Sequence, residues 1–170
     1  MDLHIWTQST AMAQGLGFLG FTCGVLAYLN RHDGRLKVLI GAASLIMALH
    51  FWLLGAYIGM AAACLSGVRS VVAAHAAARQ LAPLFFAAYV PMAFIRIEIW
   101  VDVLPIISGI MATYAMFYLT HVPMRVVLLG ATALWLVHNM LHGSVGGTLL
   151  EAFYIGVNML TIYRLRRERV

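Results

Sequence analysis

The sequence predicts an all-α polytopic membrane protein with seven transmembrane helices in a 3+1+3 parallel-repeat arrangement. Three observations predict it: the composition, seven apolar runs parted by short polar breaks, and an internal repeat. Of 170 residues, 63% are Ala, Val, Ile, Leu, Met, Phe, Trp, Tyr or Cys and 10% are charged. Mean hydropathy is +0.90. Soluble domains carry about 25% charged residues, so a soluble domain, a disordered chain and a small disulfide scaffold are excluded. A spanning helix needs about 20 apolar residues, so seven spans use roughly 140 and leave about 30 for connections. That leaves room for one membrane domain, 1–170, and no second, soluble one. Cys23 and Cys64 sit inside apolar runs, which argues against a disulfide framework and against a cysteine metal site.

The first nine residues carry Asp2 and lack a basic n-region and a small-residue cleavage site, so no signal peptide is expected. From Thr10 the apolar runs fall at 11–29, 38–54, 57–76, 81–97, 103–120, 125–142 and 147–163. RHDGRLK (31–37) ends the first, and Gly55-Ala-Tyr-Ile-Gly59 makes a tight hairpin after the second. HAAARQ, IEIWVD, THVP and HGSVGG close the third to sixth. Barrel strands would alternate over about 10 residues; these runs are longer and apolar on all sides, so they are helices.

Basic residues set the orientation. With the N-terminus outside, Arg31, Arg35, Lys37, Arg69, Arg79, Arg125, Arg164, Arg166, Arg167 and Arg169 fall on the cytoplasmic side. Arg96 alone falls outside, beside Glu98 and Asp102. That asymmetry is the positive-inside pattern. It accounts for a pI near 9.6 as orientation and headgroup anchoring, with no nucleic-acid partner. Trp6, Trp52 and Trp100 fall near the outer boundary, as an aromatic belt requires.

A shift of 88 residues lays LHFWLLGAYIG (49–59) over VHNMLHGSVGG (137–147). His50 meets His138, Leu53 meets Leu141, Gly55 meets Gly143 and Gly59 meets Gly147. Lys37 meets Arg125, Ala43 meets Ala131, Ser44 meets Thr132, and Gly17 lies opposite Pro105. The unit is three helices: repeat one at about 10–76, a linker helix at about 81–100, and repeat two at about 103–164. Three helices plus a linker span give both units one orientation.

On LHFWLLGAYIGMAAACLSGVRS (49–70), Leu104-Pro105, Arg125, Trp135, Asn139, GSVGG (143–147), Glu151 and Arg164, the chain resembles the bacterial inner-membrane YgjV family. Its 3+1+3 plan resembles the wider SWEET and PQ-loop superfamily. The first resemblance implies an inner-membrane protein of seven helices; the second implies alternating access. Neither repeat holds a Pro-Gln pair, and span one carries Gly17, Gly20 and Gly24 where a helix-breaking proline would stand.

Ionisable groups within spans face bundle interiors or watery cavities. Thr132, Trp135, His138, Asn139 and His142 recur at three- and four-residue spacing in span six, and Glu151, Tyr154, Asn158 and Thr161 do so in span seven. Such spacing places each set on one helix face. The candidate pathway residues are His50, Ser70, Arg69, Trp135, His138, Asn139, Glu151 and Asn158, with His138 as the proton-sensitive member. Each has a structural alternative. The histidines can donate to backbone carbonyls, the asparagines can join helices, and Glu151 can sit at a helix N-terminus. Arg69 either snorkels to headgroups or faces the cavity as an anion site.

The expected function is a small-solute transporter or facilitator, with a polar cavity among spans one, two, five, six and seven. A non-transporting receptor or assembly factor is the alternative. A haem carrier with His50 and His138 as axial ligands is a further one. No catalytic arrangement is visible, so the expectation is no enzyme, no cofactor and no metal. The expected partners are the lipid bilayer and a small polar solute. A monomer suffices because both halves lie in one chain, and a dimer is possible.

Overall fold

The computed structural model describes residues 3–29, 33–72, 78–94, 97, 99–119 and 121–167. The side chains of 3–9, 28, 29, 33–37, 78, 93 and 165 fall outside that description. So do the sequence expectations for Trp6, Arg31, Arg35, Lys37, Arg96, Glu98 and Arg169.

Seven α-helices form, with no strand among the described residues. They are α1 (Leu3–Leu29), α2 (Asp33–Leu53), α3 (Tyr57–Val72), α4 (Ala82–Tyr89), α5 (Leu104–Tyr118), α6 (His121–Leu141) and α7 (Val145–Arg167). Among the described residues, four apolar stretches are long enough to cross a membrane: Thr10–Ala27, Trp100–Tyr118, His121–Leu141 and Val145–Arg164. Val38–Leu53 and Tyr57–Val72 are shorter apolar helices.

The fourth apolar run differs from the long helix its composition suggests. It yields an eight-residue α4 between 3-10 turns at Ala78–Leu81 and Pro91–Phe94. Two prolines explain this. Pro83 starts the helix, where its missing N–H costs nothing. Pro91 has no N–H to continue the ladder and disfavours helical geometry at the residue before it. Val90 N–H accordingly bonds Ala87 O at 3.1 Å, a tighter 3-10 closure.

Packing closes a ring. α1 packs on α2 and α7, α2 on α3, α3 on α5, α5 on α6, and α6 on α7. α4 packs on α3 and α5. Tyr89 of α4 is buried against Gly109 of α5, where any Cβ would overlap the phenol ring.

The α2–α3 and α6–α7 turns share their hydrogen bonds at the shift of 88. Gly55 (φ +74°) and Gly143 (φ +66°) are left-handed, a conformation glycine adopts without a Cβ penalty. Ala56 N–H bonds Phe51 O and Gly55 N–H bonds Trp52 O; Ser144 N–H bonds Asn139 O and Gly143 N–H bonds Met140 O. These pairs satisfy the orphan carbonyls at a helix end. Antiparallel succession puts both turns at one end of the bundle, the hairpin end. The described arginines, at 69, 79, 125, 164, 166 and 167, lie toward the other end. Trp52 and Trp100 are 55% and 67% exposed at the hairpin end.

Candidate functional site

At the hairpin end the polar groups form a hydrogen-bonded layer. A carbonyl only accepts, so the 2.5 Å bond to Ala13 O places the proton of His50 on Nδ1. Its Nε2 then accepts from Ser144 Oγ at 2.6 Å. Ser144 Oγ in turn accepts from Gly147 N–H at 3.2 Å, capping α7, as serine does at a helix start. From α1, Gln14 donates to Gly143 O at 2.7 Å and accepts from Val145 N–H at 3.2 Å. Gly17 and Gly146 let α1 and α7 meet backbone to backbone, because a Cβ on Gly146 would overlap Gly17.

His138 repeats the His50 geometry and then departs from it. Its Nδ1 donates to Val101 O at 3.3 Å, and Val101 stands 88 residues after Ala13. Its Nε2 is buried without a partner. The residue equivalent to Ser144 is Ala56, which has no hydroxyl to donate. A Cβ on Gly59 would lie 2.6 Å from that nitrogen, so α3 closes over it.

Beside this layer, His142 Nε2 pairs with Asp102 Oδ1 at 3.0 Å. Ligand atoms of Asp102, His138 and His142 lie within 4.8 Å of one another, a set able to hold a divalent cation. Asp102 Oδ2 accepts from Ile99 N–H at 3.1 Å and His138 Nδ1 is held by Val101 O, whereas His138 Nε2 makes no such bond.

Between this layer and the arginine end lies a cavity of about 740 Å³, within the size range of small-molecule sites. Its floor is aromatic: Phe51 stacks on Trp135 at 5.5 Å, and both contact the His138 ring. α2, α3, α5, α6 and α7 wall it, with Arg79 at the far end. α3 therefore takes the place that the sequence reading gave to the first span, because α1 packs outside against α2 and α7. Ser70, Thr132 and Ser108 line the wall and donate to carbonyls at 2.8–2.9 Å.

Of the sequence-derived candidates, the structure brings Ser70, Arg69, Trp135, Asn139, Glu151 and Asn158 to this cavity. His50 and His138 lie below its floor and are absent from the lining. Arg125 and Tyr154 also line it, and Arg125 Nη1 donates to Asn158 Oδ1 at 3.2 Å. Arg125 was legible as the basic residue shared by both repeats, though not as a cavity group. Ser144 was missed as well. Its signal was a serine between a helix-ending glycine and Gly147, the position of an N-cap. Two polar atoms of cavity-lining residues are buried without protein partners: Asn139 Oδ1, an acceptor, and Arg69 Nε, a donor.

Residues 11–169 match the family model Imp-YgjV, described as bacterial inner membrane protein. The chain belongs to this family. It is 31% identical over 162 residues to "Inner membrane protein YgjV" of Escherichia coli (strain K12), covering 94% of this chain and 88% of the relative. No solved structure matches the chain. This Imp-YgjV member is thus an integral bacterial inner membrane protein whose apolar helices enclose a cavity lined by both apolar and polar side chains.

Proposed function

We propose that the chain is a SWEET-like small-solute transporter or facilitator, with the cavity as its solute site and no enzymatic step. One observation carries the reading: the cavity lining runs from Phe51, Trp135 and Asn139, above the hydrogen-bonded layer, to Arg79 and Arg125 at the arginine end, with serine, threonine and charged side chains along the way. A passage through lipid needs polar groups that replace water around a solute. Arg69 supplies a donor for it, and Asn139 lines the floor.

The ring order and the paired turn bonds support two three-helix units, α1–α3 and α5–α7, moving against each other about the cavity. The hydrogen-bonded layer is then one gate. By the positive-inside rule the arginine end is cytoplasmic and the N-terminus outside. The solute is small and polar, and one chain holds the whole site, so a monomer suffices. The haem reading is less favoured, because both ring nitrogens of His50 are already bonded and axial ligation needs one of them free.

Uptake into vesicles reconstituted with the full chain tests the proposal. Solutes retained by the purified protein are identified by mass spectrometry, and their entry is compared for the wild type and Asn139→Leu. Uptake that is saturable and reduced in the variant supports transport. Equal leakage with and without protein would leave a receptor or assembly role.

A further inference from the structure

We propose that the cavity recognises its solute through an oxyanion, a carboxylate or a phosphate group, seated on Arg69. The inference deepens the transport reading and rests on it for the solute's passage.

Arg69 is 5% exposed, yet no acid pairs with it among the described residues. Its Nη1 takes every bond made: to Gly109 O and Thr113 Oγ1 at 3.0 Å each, and to Tyr89 Oη at 3.4 Å. All three acceptors are neutral. Nε has no partner, so the Nε–Nη2 edge of the guanidinium is unoccupied. That edge presents two parallel N–H groups in the fork that carboxylate and phosphate oxygens match.

A buried charge is ordinarily paired, and here the neutral bonds do something else: they hold the guanidinium rigid. Gly109 and Thr113 belong to α5 and Tyr89 to α4, so two neighbouring elements fix Arg69 of α3. A pre-oriented fork loses little entropy on binding. A snorkelling arginine would show the opposite pattern, an exposed head with few fixed bonds.

The remaining charges agree. Arg69, Arg79 and Arg125 line the cavity against one carboxylate, Glu151. Arg125 is bonded to the neutral Asn158, and Arg79 lies 5.2 Å over the Tyr118 ring. None of the three is neutralised by a described acid, so the cavity's field favours an anion.

The test is thermal melting of the full chain in a non-ionic detergent, at fixed ionic strength set with sodium chloride. Succinate, inorganic phosphate and glucose are titrated separately. A saturable rise in Tm with succinate or phosphate, and none with glucose, is expected; which anion acts names the source of the oxyanion. Arg69→Gln should abolish the shift. Because Arg69 also ties α3 to α4 and α5, that variant can fail to fold, and Arg125→Gln serves as the second. It should weaken binding several-fold, through the loss of one positive charge from the cavity's field. Neither anion shifting Tm in the wild type would overturn the site, even if vesicles take up a neutral solute and the transport reading stands. Anion binding without anion uptake would keep the site and overturn transport.

Discussion

Ser144 Oγ lies 2.6 Å from His50 Nε2, and no described residue plays that part for His138. The two histidines share a position in the repeat, a carbonyl partner 37 residues earlier and a buried ring. They differ in one hydroxyl, because Ala56 stands where the second turn has serine.

Adding that hydroxyl should help. Ala56→Ser places a donor beside the orphaned His138 Nε2 and should stabilise the protein by about 0.5–1.5 kcal/mol. Ser144→Ala strands His50 Nε2 and uncaps α7, and should cost about 1–3 kcal/mol. Thermal unfolding in detergent checks both, and a loss of stability in Ala56→Ser would contradict the paired-turn account.

The α1–α7 crossing should reject any side chain. Gly146→Ala drives a Cβ into the Gly17 backbone, and overpacking of this kind costs roughly 1–3 kcal/mol. Gly156→Ala meets nothing within 4 Å and should raise stability by about 0.5–1 kcal/mol, the usual glycine penalty in a helix. The two melts should move in opposite directions.

Glu151 should set the pH dependence of anion binding. It shares the cavity with Arg69, Arg79, Arg125 and Tyr154, and an ionised carboxylate there repels an anion while a protonated one does not. Succinate should therefore bind more tightly as pH falls. Glu151→Gln should bind several-fold more tightly at high pH and show a flat profile, read by the same melts.

Orientation is open to labelling. With Cys23 and Cys64 replaced by Ala, a cysteine at Trp100 should react with an impermeant thiol reagent in intact cells. One at Arg79 should react only after the membrane is opened. The reverse pattern would invert the proposed topology.

Helical spacing made much of the site legible and misplaced one part of it. Thr132, Trp135 and Asn139 share a face and share the cavity wall. The same spacing groups His138 and His142 with them, but each residue turns the helix by about 100°. His138 therefore sits on the flank of Asn139 and reaches the Val101 carbonyl. A backbone acceptor leaves no trace in residue type, so the sequence could not announce it. The glycine turns were readable because left-handed backbone selects glycine. The break in the fourth helix was foreshadowed by Pro91 but outweighed by an apolar run. The missing carboxylate partner of Arg69 is a fact of three dimensions only.

The clasp between α1 and the last hairpin also has a place in time. Gln14 waits for Gly143, 129 residues later. At about 5–20 residues per second, a ribosome needs roughly 6–26 s to make that stretch. The helical hairpins α1–α2 and α2–α3 can assemble as they emerge, but Gln14 and the outer nitrogen of His50 stay unmatched until the final helix inserts. A nascent chain stalled before Val145 thus holds an unlatched N-terminal half, with polar groups turned toward lipid or toward whatever insertion machinery shelters it.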